Sequence, residues 1–244
     1  MARQFDTRPT IFSSEGRLYQ VEYAIETVSY ANPCLGIKTE EGIVLVAEHN
    51  SSNHCDRMEK IYQLNENTLC GTAGIASDVQ VLVGEARAIG QRFQFCYGAI
   101  MPTEQLTSHL CDIMQAHTQT GGKRPFGVYM LFAGWDKELG YQLLQSDPSG
   151  NYTLWRAVCI GKNFLAATHL LEQELANKTG SISLEDAKQL ALRALSRTSL
   201  ATELLPDMVE VATLQRLQDK TLFTRLEPSE VQALFNKQKA KPTA

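Results

Sequence analysis

Hydrophobic residues first fall into a repeating pattern at Leu18, Val21, Ile25 and Val28, spaced three and four apart as on one face of a helix. The pattern predicts a helix from about Leu18 to Ser29, stopped by Asn32-Pro33. It comes before any strand that could receive it. The residues ahead of it, 1–16, are polar and interrupted by Pro9 and Gly16, and read as a mobile arm.

The period then changes to two. CLGIK and GIVLVAE are short, apolar and β-branched, and the Thr39-Glu40-Glu41-Gly42 between them makes a hairpin. IYQL and TLCGTA form a second hairpin about Asn65-Glu66-Asn67. Two helices follow: Val79, Leu82, Val83, Ala86 and Ile89 mark one, and Leu106, Leu110, Ile113 and Met114 mark the other, entered through Pro102-Thr103. Strands return in FGVYMLFAGWD, YQLLQSD and WRAVCIG, with Asp147-Pro148-Ser149-Gly150 as a turn. A second helix pair runs from Phe164 to Ala176 and from Ser183 to about Leu200, the latter with Glu185 and Asp186 in its first turn. Strands MVEVATLQ and LFTRL close the pattern, before a short helix from Pro228 and a basic tail over 237–244.

Helices therefore come in pairs between blocks of hairpins, which points to antiparallel sheets rather than a doubly wound parallel one. VYMLFA is apolar on both faces, so both faces of its sheet need cover. A second sheet on one side and helices on the other supply it. The expectation is a four-layer α/β/β/α sandwich spanning 17–236 as one domain, with the N-terminal helix as an extra element.

Composition narrows the partners. With 23 basic against 27 acidic residues the net charge is −4, which argues against nucleic acid or an anionic membrane. No apolar run approaches the roughly 20 residues of a membrane helix, and MARQFDTRPT has no apolar stretch of a secretory signal. The cysteines Cys34, Cys55, Cys70, Cys96, Cys111 and Cys159 are scattered without a Cys-x-x-Cys pair, and read as reduced, mostly buried thiols.

Candidate chemistry is thin. Gly71-Thr72-Ala73-Gly74 and Gly121-Gly122-Lys123 do not match a phosphate-binding loop, and Gly71 and Gly74 read better as close packing or a turn. His49, His54 and Cys55 lie near one another, but no second ligand pair accompanies them and no metal is implied. Cys34 opens a strand as a nucleophile would, yet Leu35, Gly36 and Ile37 beside it suggest burial, which raises a thiol pKa. Lys123, Arg124 and Phe126 sit between a helix end and a strand, either as a charged cap or as a loop reaching a neighbour. Arg17 at the start of the first helix opposes the macrodipole, a local conflict that often marks an outside contact.

FSSEGRLYQVEYA, LGI, EKIYQLNEN, AGIASD, TQTGGKRPFGV and SDPSGNY, in this order from about Phe5 to Phe235, closely resemble the alpha-type subunits of the proteasome core particle. LYQVEYA, TQTGGKRPFGV, GWD and QSDPSGNY are most similar to the type-4 branch. The resemblance implies an N-terminal-nucleophile-hydrolase-like sandwich in a seven-membered outer ring, with beta subunits, other alpha subunits and activator particles as partners. It implies unfolded polypeptides as substrates, ubiquitin-dependent and -independent degradation, a cytoplasmic and nuclear location, and no cofactor. Catalytic relatives carry an amino-terminal Thr where this chain has Cys34, behind an arm and helix. Glu48 stands at their catalytic Asp position and Lys60 at their catalytic Lys, but one retained cation without the Thr nucleophile is not a site, so no peptidase activity is expected. The alternative is an autonomous amidohydrolase using Cys34.

The resemblance also assigns surfaces. Phe5, Asp6, Thr7 and Ser14 would belong to a gate, Lys60, Glu22, Gly74 and Ile75 to a pocket for activator carboxyl termini, and Arg17, Lys123, Arg124 and Phe126 to the ring interface. Phe5 stands where the family has Tyr, and Ser14 where it has Pro. Ser14 is therefore expected to leave its turn looser than Pro would. The segment between Glu48 and Lys60 is short for the branch, as in a divergent paralogue.

Overall fold

A computed structural model describes residues 10–49, 59–177, 182–198 and 204–240. The element order is α1 (Tyr19–Val28), β1 (Cys34–Lys38), β2 (Gly42–Glu48), β3 (Ile61–Asn65), β4 (Thr68–Gly74), α2 (Ala76–Tyr97), α3 (Thr103–Gln119), β5 (Val128–Asp136), β6 (Gly140–Ser146), β7 (Tyr152–Leu154), β8 (Ala157–Ile160), α4 (Phe164–Asn177), α5 (Leu184–Thr198), β9 (Val209–Leu217), β10 (Lys220–Arg225) and α6 (Pro228–Ala240). Two five-stranded antiparallel sheets result, ordered β10-β9-β2-β1-β8 and β3-β4-β5-β6-β7.

Alternation along the strands explains the layers. On β2, Val44 and Val46 face α4, α5 and α6, while Ile43, Leu45 and Ala47 face the other sheet. On β5, Met130 and Phe132 face α2 and α3, while Leu131 and Ala133 face inward. Both faces of each central strand are thus apolar and covered, giving three cores in a four-layer α/β/β/α sandwich. The helix pairs and hairpins lie where the sequence pattern puts them.

Three features differ from the sequence reading. β7 is an extra short strand after the Asp147–Gly150 turn, only three residues long and too brief to leave a period. The last helix runs to Ala240, into the segment read as a basic tail. The turn before α1 is closed by Ser13 rather than governed by Ser14: Arg17 N–H donates to Ser13 Oγ at 3.1 Å, Gly16 N–H to Ser13 O at 3.0 Å, and Ser13 N–H to Arg17 O at 2.9 Å. Ser13 is buried, while Ser14 beside it is exposed. The gate residues Phe5, Asp6 and Thr7, the pair His54 and Cys55, and the segment 50–58 fall outside the described residues.

Candidate functional site

The functional question centres on where β1 begins, because that is where the sequence places its one nucleophile. Helix α1 packs over this end of the sandwich through Val21 and Val28, both buried, while Leu18 and Ile25 of the same stripe stay half-buried. A three-residue link, Ala31-Asn32-Pro33, joins it to β1. Every carbonyl of that link is used: Ala31 O accepts Lys162 N–H at 2.7 Å, Pro33 O accepts Glu48 N–H at 3.0 Å, and the Lys60 ammonium donates to Asn32 O at 2.5 Å and Pro33 O at 3.3 Å. The chain entering β1 is therefore continuous and pinned on three sides.

Cys34 lies beneath this link with no exposed surface. It pairs with Ala47 on β2 and Ile160 on β8. Gly71 of β4 faces it so closely that a Cβ there would sit 2.6 Å from Cys34 Sγ, which is why that position has no side chain. Burial pushes the thiol up to about 12, against the opposing pull of Lys60. A thiol in this state is protonated and inert. Among the described cysteines, Cys34, Cys70, Cys111 and Cys159 are all free and buried, and Cys96 is free and exposed.

Lys60 is half-buried: its side chain turns under the α1–β1 link, and burial holds its pKa below the ordinary lysine value. The Glu48 carboxylate pulls the other way. Glu48 and Glu210 complete the surroundings; burial raises both carboxyls, with Lys60 opposing at Glu48 and the Lys60 N–H, a 3.1 Å donor to Oε2, opposing at Glu210. Cys34, Glu48 and Lys60 are thus brought together as the alignment with catalytic relatives implies, but around a sealed strand end. Glu210 was not singled out in the sequence, since it lies 150 residues from Lys60 on β9.

Of the other residues that the resemblance assigns to a pocket, Gly74 ends β4 and Ile75 leads into α2. Thr72, two residues ahead of Gly74, donates its N–H and its hydroxyl to Lys60 O at 3.0 and 3.1 Å. Gly74 has φ +141°, and a Cβ there would overlap the Gly127 carbonyl. Glu22 stands apart, one face of its carboxylate filled by Arg17, whose Nε donates at 2.7 Å and whose Nη2 makes a second bond. This exposed pair resolves the conflict at Arg17: an acidic residue in the first turn of α1 answers the cation ahead of it.

The remaining interface candidates divide. Lys123 is exposed. Phe126 is 7% exposed and belongs to the core under α2 and α3, stacked on His117 at 4.4 Å, so it is no surface contact. Arg124 does not cap its own helix: it forms a bidentate pair with Asp78 at the start of α2, 46 residues away. That distance hid the partner from any local pattern.

Comparison with known proteins decides the family. The proteasome subunit pattern matches residues 28–214, and the N-terminal signature of the A-type proteasome subunits matches residues 5–26. The chain belongs to the proteasome subunit family. It is 57% identical to the alpha type-4 proteasome subunit of Drosophila melanogaster over 97% of this chain and 92% of that protein. It is 46% identical to the alpha type-4-like protein of the same fly and 43% identical to the Petunia hybrida alpha type-4 subunit, each over 97% of this chain and 96% of the relative. With the alpha-type signature running into α1 and a buried, protonated thiol at the head of β1, the chain is a non-catalytic alpha-type subunit of the core particle. An amidohydrolase using Cys34 is not supported. Among the described residues no helix is long and apolar enough to cross a membrane.

Proposed function

We propose that this chain occupies one position in a seven-membered outer ring of alpha-type subunits stacked on beta subunits, and helps gate the entry of unfolded polypeptides. One observation carries this reading: the head of β1, which a catalytic relative would expose, is closed by α1 and its pinned link. The half-exposed stripe of α1 supports a neighbour beside it. Ile25, Trp155 and Phe164 line an open apolar groove of about 350 Å³, with Trp155 and Phe164 each 41% exposed. Such a face is what an adjoining subunit would cover.

In this reading Phe5, Asp6, Thr7 and Ser14 belong to the gate. Lys60, Gly74 and Ile75 form one wall of a site for activator carboxyl termini, with Glu22 on the rim; the ammonium has three donors, and the one not directed at Asn32 O and Pro33 O is the carboxylate partner. Arg17 and Lys123 remain candidates for ring contacts. The substrates would be those of ubiquitin-dependent and -independent degradation in cytoplasm and nucleus. Native mass spectrometry of the complex purified through this chain tests the proposal. One copy in each seven-membered ring, with beta subunits present, is expected; a ring built only of this chain would refute it.

A further inference from the structure

Three segments meet at Asp78, in the first turn of α2. Its side chain is 7% exposed, and its carboxylate accepts Arg124 Nη1 at 2.7 Å, Arg124 Nη2 at 2.8 Å and Gly127 N–H at 3.1 Å. Arg124 Nη1 also donates to Pro125 O at 3.1 Å, which folds residues 124–127 into a compact strap. His117, near the end of α3, braces it from the other side by stacking on Phe126, with Nδ1 3.4 Å from Arg124 O. Burial alone would raise the Asp78 carboxyl, but the bonds from Arg124 and Gly127 outweigh it and hold the group below its ordinary value, so it stays ionised.

The strap ends where the proposed pocket begins. Gly127 O accepts Ile75 N–H at 3.0 Å, and Gly127 Cα faces the Ile75 side chain so closely that a Cβ would lie 2.8 Å from Ile75 Cδ1. Asp78 and Arg124 therefore fix Gly127, Gly127 fixes Ile75 at the start of α2, and β4, which ends at Gly74, is bonded through Thr72 to the Lys60 carbonyl. We infer that Asp78 and Arg124 form a positioning clamp that holds the Gly74–Ile75 wall in register with the Lys60 ammonium, an inference that rests on the pocket reading above. Arginine suits the task because its planar fork meets both carboxylate oxygens at once, whereas a lysine would meet one.

The test uses the assembled core particle carrying the wild-type chain, Arg124→Ala or Arg124→Lys. Each is titrated with the synthetic peptide Gly-Ser-Gly-Ser-Gly-Leu-Ala-Ala bearing a free carboxyl terminus, and with its C-terminal amide. Hydrogen exchange by mass spectrometry follows residues 59–64 and 70–80. With the wild type, the acid slows exchange there and the amide does not. Arg124→Ala raises the acid concentration for half-maximal protection by roughly tenfold, the usual scale for a supporting residue, and Arg124→Lys by less. A purely structural role would lower particle stability without narrowing the difference between acid and amide. Equal half-maximal concentrations for the three chains overturn the clamp and leave the pocket standing. Wild-type protection that does not distinguish acid from amide overturns the pocket and the clamp with it. Should Arg124→Ala fail to assemble, Arg124→Lys decides alone, and an unchanged midpoint for it overturns the clamp.

Discussion

Lys60→Glu is expected to destabilise the chain by at least about 4 kcal/mol, enough to keep most of it out of assembled particles. The replaced ammonium is half-buried and faces the Asn32 and Pro33 carbonyls, with Glu48 and Glu210 close by. A carboxylate there would meet two acceptors and two like charges, and could bind the carbonyls only by taking a proton. Lys60→Met separates charge from bulk. It removes the ammonium's hydrogen bonds but also the cost of burying it, so a loss of about 1–2 kcal/mol is expected. Denaturant midpoints of the two purified variants against the wild type make the comparison. Equal midpoints for the two would mean that the added carboxylate is not what destabilises Lys60→Glu, and a Lys60→Met midpoint equal to the wild type would mean that the site does not require a cation.

Gly74→Ala is expected to lower stability by about 3–5 kcal/mol, from two independent causes. The backbone at φ +141° is a region that residues with a Cβ rarely adopt, a strain of about 1–3 kcal/mol. The added Cβ would also overlap the Gly127 carbonyl and lie 2.8 Å from Val128 Cα, and backbone cannot give way as a side-chain tip can. The urea midpoint should fall by roughly 1–2 M at ordinary slopes. A shift near zero would require β4 and the strap to separate freely, against the Ile75–Gly127 hydrogen bond.

These sites show what a sequence carries and what it does not. The layers were legible because both-face apolar strands such as VYMLFA have one arrangement that covers them, and because Gly71 and Gly74 stand where a side chain would collide. The early helix was legible from Leu18, Val21, Ile25 and Val28, although only Val21 and Val28 are fully buried. Side-chain direction was not. Lys60 turns inward, Phe126 joins a core, and Arg124 finds Asp78 across 46 residues; none of these pairings repeats at a helical or strand period. The Ser13 turn was missed for the opposite reason: the pattern of relatives drew notice to Ser14, while the neighbouring hydroxyl does the bonding.

The central claim is that the head of β1 is a closed junction and not a processed nucleophile. Intact mass of the chain released from the native complex tests it most directly. A chain retaining the residues ahead of Cys34 is expected, with no peptide hydrolysis by the purified protein. A mature chain beginning at Cys34 and cleaving fluorogenic peptides, with activity lost in Cys34→Ala, would contradict it.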